Sequence, residues 1–371
     1  MDPLIDELLA TRRRTLALVT DLTDAQWAVP RIPTVNPMGW ELGHVGWFME
    51  RWTLREVLCR PPILAQGDAL WDSSHVPHGT RWDLPLPDRA GILAYIEEIL
   101  GRTVAAVGTT EAARYHARYA MLHECMHAEA FTYTRLNLGY PLSGMQPPVG
   151  GPLAGDVVLE GPHRLGAEPG GWAFDNEKWA IDISLEPYAI ARAPVTQAEF
   201  AAFVADGGYA RRELWDPAAP VWEGPLRMGS EPHRPICQVS WFEADAYCRW
   251  AGRRLPTEAE WDRAAVGASP GNVDGIHGGT ADVGAFAAGD SDAGCRQMLG
   301  NVWEWTSSVF EPLPGFVPDA YADYSAPSFG VSRVLGGGAW ATSRHLAYRG
   351  YRNFFPPERR DILAGFRTCA R

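Results

Sequence analysis

Apolar positions repeat at helical spacing through most of the first 140 residues. Over Leu4–Leu22 the stripe is Leu4, Leu8, Leu9, Leu16 and Val19, with arginines between, which predicts an amphipathic helix. Asn36-Pro37 then opens a second helix, Asn as its cap and Pro in its first turn, that runs through MGWELGHVGWFMERWTLREVL. Trp40, His44, Trp47 and Phe48 lie on one face of it, at i, i+4, i+7 and i+8. Asp88–Val107 predicts a third helix. From Glu111 to Leu138 no Pro or Gly intervenes, and the run stops at Gly139 before Pro141, which predicts a fourth helix of about seven turns. Between the second and third lies a loop, Pro61–Pro87, containing Trp71-Asp72-Ser73-Ser74 and Gly79-Thr80-Arg81-Trp82-Asp83-Leu84. Loops of that length in compact domains are commonly functional.

Gly and Pro become frequent from Gly139 to Gly171, which marks a domain boundary. The expected division is a helical domain over 1–145 and a second domain over 146–371, and 371 residues is long enough for two cores. In the second half Gly, Trp and Pro recur, and short helices and brief, irregular strands are expected. Pro194–Ala205 and Trp241–Ala251 are the two clear helical stretches, the first with Thr196 as N-cap and Glu199 completing a capping box. Val334–Trp340 and Gly365–Ala370 read as strands or turns. The fold class is therefore α+β.

Composition narrows the function. A net charge of −12 and the lack of a basic stripe argue against a nucleic-acid surface. No apolar run reaches about 18 residues, so no membrane span is expected, and the start carries no secretory signal pattern. Six scattered cysteines without a C-x-x-C pair suit reduced thiols and a cytoplasmic location. A hydrophobic fraction of 46% with sixteen Trp points to aromatic cores or pockets.

The chemistry concentrates on the fourth helix. His123 and His127 stand four residues apart, so their imidazoles project from one side about 6 Å apart along the axis. Two imidazoles so placed can hold one metal ion and leave it under-coordinated. His44, on the second helix, is the third candidate, because bundles build metal sites between facing helices. The segment His123-Glu124-Cys125-Met126-His127 also fits the H-E-x-x-H pattern of zinc hydrolases, in which the glutamate acts as general base.

In the second half, Val195-Thr196…Glu199-Phe200, Arg254-Leu255-Pro256-Thr257-Glu258-Ala259-Glu260-Trp261, Gly300-Asn301-Val302-Trp303-Glu304-Trp305-Thr306, Gly337-Gly338-Ala339-Trp340 and Gly365-Phe366-Arg367 occur in order. They resemble the formylglycine-generating-enzyme fold, a variant of the C-type-lectin architecture. The first half, with Trp40…His44…Trp47-Phe48 and His123…His127, resembles a DinB-like four-helix bundle. The combination resembles the ergothioneine-pathway sulfoxide synthases and the related selenoneine synthases. The resemblance implies that His44, His123 and His127 hold Fe(II), with O2 as co-substrate. It implies formation of a C–S or C–Se bond at the imidazole C2 of hercynine, with oxidation of the chalcogen. Asn353, Phe354 and Phe355 match the family's segment at the substrate pocket, which the second domain is expected to complete. Arg81 and Arg359 are implied as anchors for the second substrate. The family's catalytic tyrosine lies in the loop after Gly-Asn-Val-Trp-Glu-Trp, where Tyr321 and Tyr324 are both candidates.

Physical sense agrees. Three neutral imidazoles leave an iron with about three open positions, room for O2 and a soft donor. A betaine presents a quaternary ammonium, which aromatic faces attract.

The departures concern the donor. Met126 stands where many thiol-using members have Gln, and Phe354-Phe355 stand where the γ-glutamylcysteine-using branch has Trp-Asp. The stretches HECMHAEAFTYTRLNLGYP and DSSHVPHGTRWDLPLP look most like the selenoneine branch, whose donor is a selenosugar. The Trp71–Ser74 and Arg81–Asp83 segments offer hydrogen-bonding groups and flat faces suited to a sugar. The selenoneine reading is therefore favoured, with a sulfoxide synthase using cysteine or a related thiol as its alternative. A formylglycine-generating activity would need a copper-binding cysteine pair near the chain end, where Cys369 stands alone.

Overall fold

A computed structural model describes residues 2–371. It divides into two compact units, Met1–Leu142 and Ser143–Arg371. Among the described residues no helix is long and apolar enough to cross a membrane.

The first unit is helical: α1 (Pro3–Ala17), α2 (Asp24–Trp27), α3 (Met38–Met49), α4 (Gly67–Trp71), α5 (Arg89–Ala106) and α6 (Glu111–Asn137). α3 runs on through a π-helical stretch, Glu50–Arg55. It packs on α5 and α6, and α1 packs on α6. Every residue of α3 is buried, as a helix with apolar residues all round requires. Side-chain caps from Asp88 and Thr110 satisfy the free N–H groups of Gly91 and Ala113, which sets the starts of α5 and α6. Inside the bundle Arg12 donates two hydrogen bonds to Glu124, at 2.8 and 3.0 Å, and one to the Ile96 carbonyl at 2.6 Å, tying α1, α5 and α6 together.

Three sequence expectations change here. α1 ends at Ala17 rather than Leu22, because Arg89 draws the carbonyls of Val19, Thr20 and Leu22 out to its guanidinium. Asn36 does not cap α3, which has Pro37 at that position and no side-chain cap; the Asn36 amide instead meets Arg81 and Glu41. The stretch from Pro61 to Pro87 is ordered around α4 and a 3-10 turn at His78–Thr80.

The second unit holds two four-stranded sheets, ordered β1-β2-β8-β3 and β6-β5-β4-β7. The strands are β1 (Asp156–Leu165), β2 (Ile181–Ala191), β3 (Arg253–Arg254), β4 (Trp303–Val309), β5 (Arg333–Gly336), β6 (Asn353–Phe355), β7 (Ala364–Gly365) and β8 (Cys369–Ala370). Most are brief, as expected, but β1 and β2 form a long antiparallel hairpin that the sequence did not announce, with a bulge between Leu159 and Gly161. α7 (Gln197–Ala205), α8 (Trp241–Trp250) and α9 (Glu258–Ala264) each start on a capping box, Thr196 with Glu199, Ser240 with Glu243, and Thr257 with Glu260.

The motifs that carry the fold resemblance meet one another in the interior. Arg367, fully buried, grips Glu304 with two bonds of 2.5 and 2.7 Å, and the Trp261 indole donates to the same carboxylate at 2.8 Å. Asn301, at a positive φ of 79°, brackets Ala281 with bonds to its N–H and carbonyl. Gly337, at φ 100°, sits so close to the Met298 carbonyl that a side chain would collide with it.

Candidate metal centre

α6 presents His123 and His127 from successive turns, and α3 presents His44. One ligating nitrogen from each lies within 4.8 Å of the others, and this is the only such group of three or more His, Cys, Asp or Glu among the described residues. The Nε2 atoms of His123 and His127 are 3.2 Å apart. Two nitrogens about 2.0–2.1 Å from a shared ion lie about 2.8–3.4 Å apart at coordination angles between octahedral and tetrahedral. The spacing fits one ion.

Acceptors fix two of the three tautomers. His127 Nδ1 is 2.8 Å from the Glu41 carboxylate, and His44 Nδ1 is 2.8 Å from the Trp71 carbonyl. Neither acceptor can donate, so each Nδ1 carries a proton, and in the neutral ring Nε2 is the nitrogen that keeps its lone pair. His123 differs: its Nδ1 is buried without a partner, and its ring stacks on Phe48 at 3.7 Å. Burial, reinforced by the neighbouring His127, lowers the His44 pKa to about 3 and pushes that of His123 well below the usual imidazole value. Both are neutral bases at physiological pH, which a metal ligand must be.

The surroundings hold this geometry. Trp40 stacks on the His44 ring, with centroids 5.1 Å apart and planes within 6°. The Arg81 guanidinium covers the other ring system of that stack, 3.7 Å from the Trp40 centroid. α4 is pinned by the Trp40 indole to Leu70, by the Trp47 indole to Asp68, and by Arg55 to both Asp68 oxygens, so the Trp71 carbonyl is aimed at His44. Gly43 makes this approach possible, since a methyl there would overlap the Trp71 ring. Glu41 was missed in the sequence and Trp71 was read there for another role, though Glu41, three residues before His44, carried a readable signal: a carboxylate on the same face of a buried helix.

The H-E-x-x-H hydrolase reading is overturned. Glu124 lies about 100° around the helix from His123, locked in the Arg12 ion pair with side chains 2% and 1% exposed. It cannot serve as a base beside the histidines. Several of the loop's polar and aromatic groups are engaged within the protein. Trp71 is fully buried against Tyr95. Asp72 accepts from the Ser74 N–H and bonds His75, Asp83 pairs with Arg31, and the Trp82 indole donates to Val29. Arg81 bonds Asn36 and the Val76 carbonyl, and burial lowers its pKa to about 10.

In the second unit, Phe354 stacks on Phe310 with centroids 4.1 Å apart, and Tyr324 meets its edge at 5.8 Å. The Asn353 side-chain oxygen accepts from the Phe354 N–H at 2.9 Å. Phe355 lies under the Arg359 guanidinium at 5.2 Å, and Arg359 grips Asp361 with bonds of 2.7 and 2.8 Å. The Tyr324 hydroxyl is 3.4 Å from that of Tyr351, whereas Tyr321, half-buried, precedes it by one turn. Two further buried groups have shifted pKa values, the first beside Tyr348 and the second in the other sheet, on β8. Tyr348 donates to Glu177 at 2.7 Å, and burial raises the Glu177 pKa to about 8 despite that bond. Cys369 is buried and its thiol is pushed up to about 12, the opposite of an activated thiolate.

Comparison with known proteins covers the whole chain. The DinB superfamily matches residues 7–136, and the sulfatase-modifying factor enzyme 1-like domain matches residues 152–273 and 270–371. The hercynine oxygenase of Mycolicibacterium smegmatis is 36% identical over 99% of this chain and 98% of its own length. That of Mycolicibacterium thermoresistibile is 36% identical over 98% and 93%. A formylglycine-generating enzyme of Thermomonospora curvata is 30% identical but aligns with only 58% of this chain and 92% of its own. Two domains in this order, with full-length relatives of one kind, mean that the chain belongs to the ergothioneine-pathway sulfoxide synthase family.

Proposed function

We propose that the protein is a cytoplasmic, non-heme iron(II), O2-dependent synthase that joins a chalcogen to the imidazole C2 of hercynine and oxidises the chalcogen. The observation behind it is the set of three imidazoles with converging nitrogens, in a chain whose full-length relatives are hercynine oxygenases. His44, His123 and His127 would hold the metal. A ferrous ion there would supply the electron transfer to O2 that an oxidative C–Se or C–S coupling needs. The chain's own part is to keep His44 and His123 unprotonated and to hold the orientation of His127 and His44 through Glu41 and the Trp71 carbonyl. Asn353, Phe354 and Phe355 are assigned to the betaine and imidazole of hercynine, Tyr324 or Tyr321 to proton handling, and Arg81 and Arg359 to the second substrate.

The favoured donor is a selenosugar. Along the strip from Arg352 to Arg360 every arginine already has a carboxylate: Arg352 has Glu258, Arg359 has Asp361 and Arg360 has Glu243. A γ-glutamyl dipeptide brings two further carboxylates and would have to break such a pair. Arg81 supports a second reading, cysteine as donor, because it has no carboxylate within ion-pair distance among the described residues and is free to meet a single one.

The test is anaerobic loading with Fe(II) followed by aerobic turnover with hercynine and equal concentrations of a selenosugar, cysteine and γ-glutamylcysteine, read by product mass. The selenosugar adduct is expected to dominate. Dominance of the γ-glutamylcysteine adduct would overturn the donor assignment, and iron-loaded protein that forms no adduct would overturn the reaction. Replacing any one histidine by Ala should reduce bound iron and turnover to background, and a His44→Ala protein with full iron and turnover would sink the metal assignment.

A further inference from the structure

Three imidazoles that look equivalent in sequence have three different supports. His127 donates to a carboxylate, His44 to a backbone carbonyl, and the Nδ1 of His123 has no acceptor. A hydrogen bond to a carboxylate draws the proton away from the ring and makes the opposite nitrogen a stronger donor. A carbonyl does this less, and an apolar wall not at all.

Glu41 is itself unusual. It is 2% exposed, in the middle of α3, and no arginine or lysine lies within ion-pair distance of it among the described residues. Its hydrogen-bond partners are His127 and, at a long 3.4 Å, the Asn36 amide. A buried carboxylate needs a compensating charge. Glu124, also buried and only one residue from His123, has one in Arg12. Glu41 has the His127 imidazole against it and, beyond ion-pair distance, the Arg81 guanidinium, which feels its charge.

We infer that Glu41 is a positioning residue whose negative charge is matched to a dication on the three histidines, transmitted through the His127 ring, so that His127 is the strongest ligand and His123 the weakest. This rests on the metal reading above. The carboxylate lowers the net charge of a loaded site from +2 to +1, and it fixes the His127 ring in the ligating tautomer.

Glu41→Gln and Glu41→Ala separate the two effects, because Gln keeps an acceptor for the His127 N–H and loses only the charge. Fe(II) and Co(II) affinities of the metal-free proteins are measured anaerobically by competition with a chromophoric chelator. Glu41→Gln should bind both ions about 10- to 100-fold more weakly than wild type, Glu41→Ala more weakly still, and the metal-free Glu41→Gln protein should melt no lower than wild type. Equal affinity in wild type and Glu41→Gln would overturn the charge role while leaving the metal reading intact, whereas a wild-type protein that binds neither ion overturns both. A measurement independent of variant folding is the proton NMR of metal-free wild type. A slowly exchanging, downfield His127 Nδ1 proton is expected, and its absence in a fully folded sample counts against the carboxylate bond.

Discussion

The helices that carry the histidines and the strip from Tyr348 to Arg360 both bury titratable groups, and they leave opposite things exposed to chemistry. On α3 and α6, burial strips protons from bases: His44 has its pKa lowered to about 3, and the nitrogens that result point at each other. In the strip, burial puts a proton on an acid: Glu177 has its pKa raised to about 8 and is bonded by Tyr348. The arginines there are spent on Asp262, Glu258, Asp361 and Glu243, and the Asn353 oxygen on its neighbour's backbone. One region therefore keeps unused lone pairs, and in the other most polar groups are satisfied within the protein, beside the half-buried rings of Phe354 and Phe355. The first suits a metal ion. The second suits a ligand recognised by its shape and its positive charge rather than by hydrogen bonds.

The largest effect that would break this contrast lies in Glu177. The folded protein holds a proton on it up to about pH 8, while the unfolded chain releases it near the ordinary value of 4.5. The folded state therefore binds the extra proton between those two values, and the stability this contributes is fully present below about pH 4.5 and lost as pH rises through 8. The full span corresponds to on the order of 5 kcal/mol. Glu177→Gln keeps an acceptor for Tyr348 and cannot ionise. Melts from pH 5 to pH 9 should show wild type falling relative to Glu177→Gln as pH rises, and parallel profiles would mean that Glu177 ionises normally.

A smaller effect separates the two glutamates beside the histidines. Arg12→Met leaves Glu124 buried without its cation and should cost about 3–5 kcal/mol, because an orphaned buried charge is worse than no pair at all. The double change to Arg12→Met with Glu124→Met should recover most of this. Glu41→Gln should cost nothing. Urea denaturation of the metal-free proteins followed by helical circular dichroism checks all three, and an Arg12→Met protein as stable as wild type would mean that the pair holds nothing together.

How readable each region is follows from the same physics. On a regular helix, spacing is geometry, so His123 and His127 declare a shared face by their separation of four residues alone. His44 became a candidate only because two imidazoles on one helix need a third from a facing helix, and Glu41 shares its face of α3 but gains its partner only when α3 packs on α6. The long hairpin of β1 and β2 was hidden because β1 alternates only between exposed and half-buried, with Val158 72% exposed and Gly161-Pro162 in mid-strand, and β2 buries side chains only near its end, at Tyr188 and Ile190. α4 is five residues long, too short for a helical period to appear. The motifs that identified the second unit turn out to be its interior: Trp261, Glu304 and Arg367 bond to one another. They announce the fold, and for that reason they say little about the substrate. Residues at irregular positions, such as Arg359, took their meaning from neighbours that satisfy them.

The smallest effect tests whether the aromatic strip reads a charge. Phe354 has one face on Phe310 and its edge near Tyr324, and Phe355 has a cation, Arg359, over its ring already. Arg359 is neutralised by Asp361, so the ring is not closed electrostatically to a second cation. A trimethylated ammonium cannot donate hydrogen bonds and is weakly hydrated, so aromatic faces favour it over a primary ammonium, which must surrender water to approach them. Each aromatic contact is worth about 0.5–2 kcal/mol, a few-fold to roughly thirty-fold in affinity. Hercynine should therefore bind more tightly than histidine by that factor. Phe355→Leu keeps the apolar volume and removes the ring, so it should shrink the ratio and leave histidine binding nearly unchanged. Phe354→Leu should lower both affinities together, because that ring also supports Phe310. Titration of both ligands into metal-loaded wild type and the two variants decides it. Equal affinities for hercynine and histidine in wild type would show that the strip recognises the imidazole and ignores the ammonium.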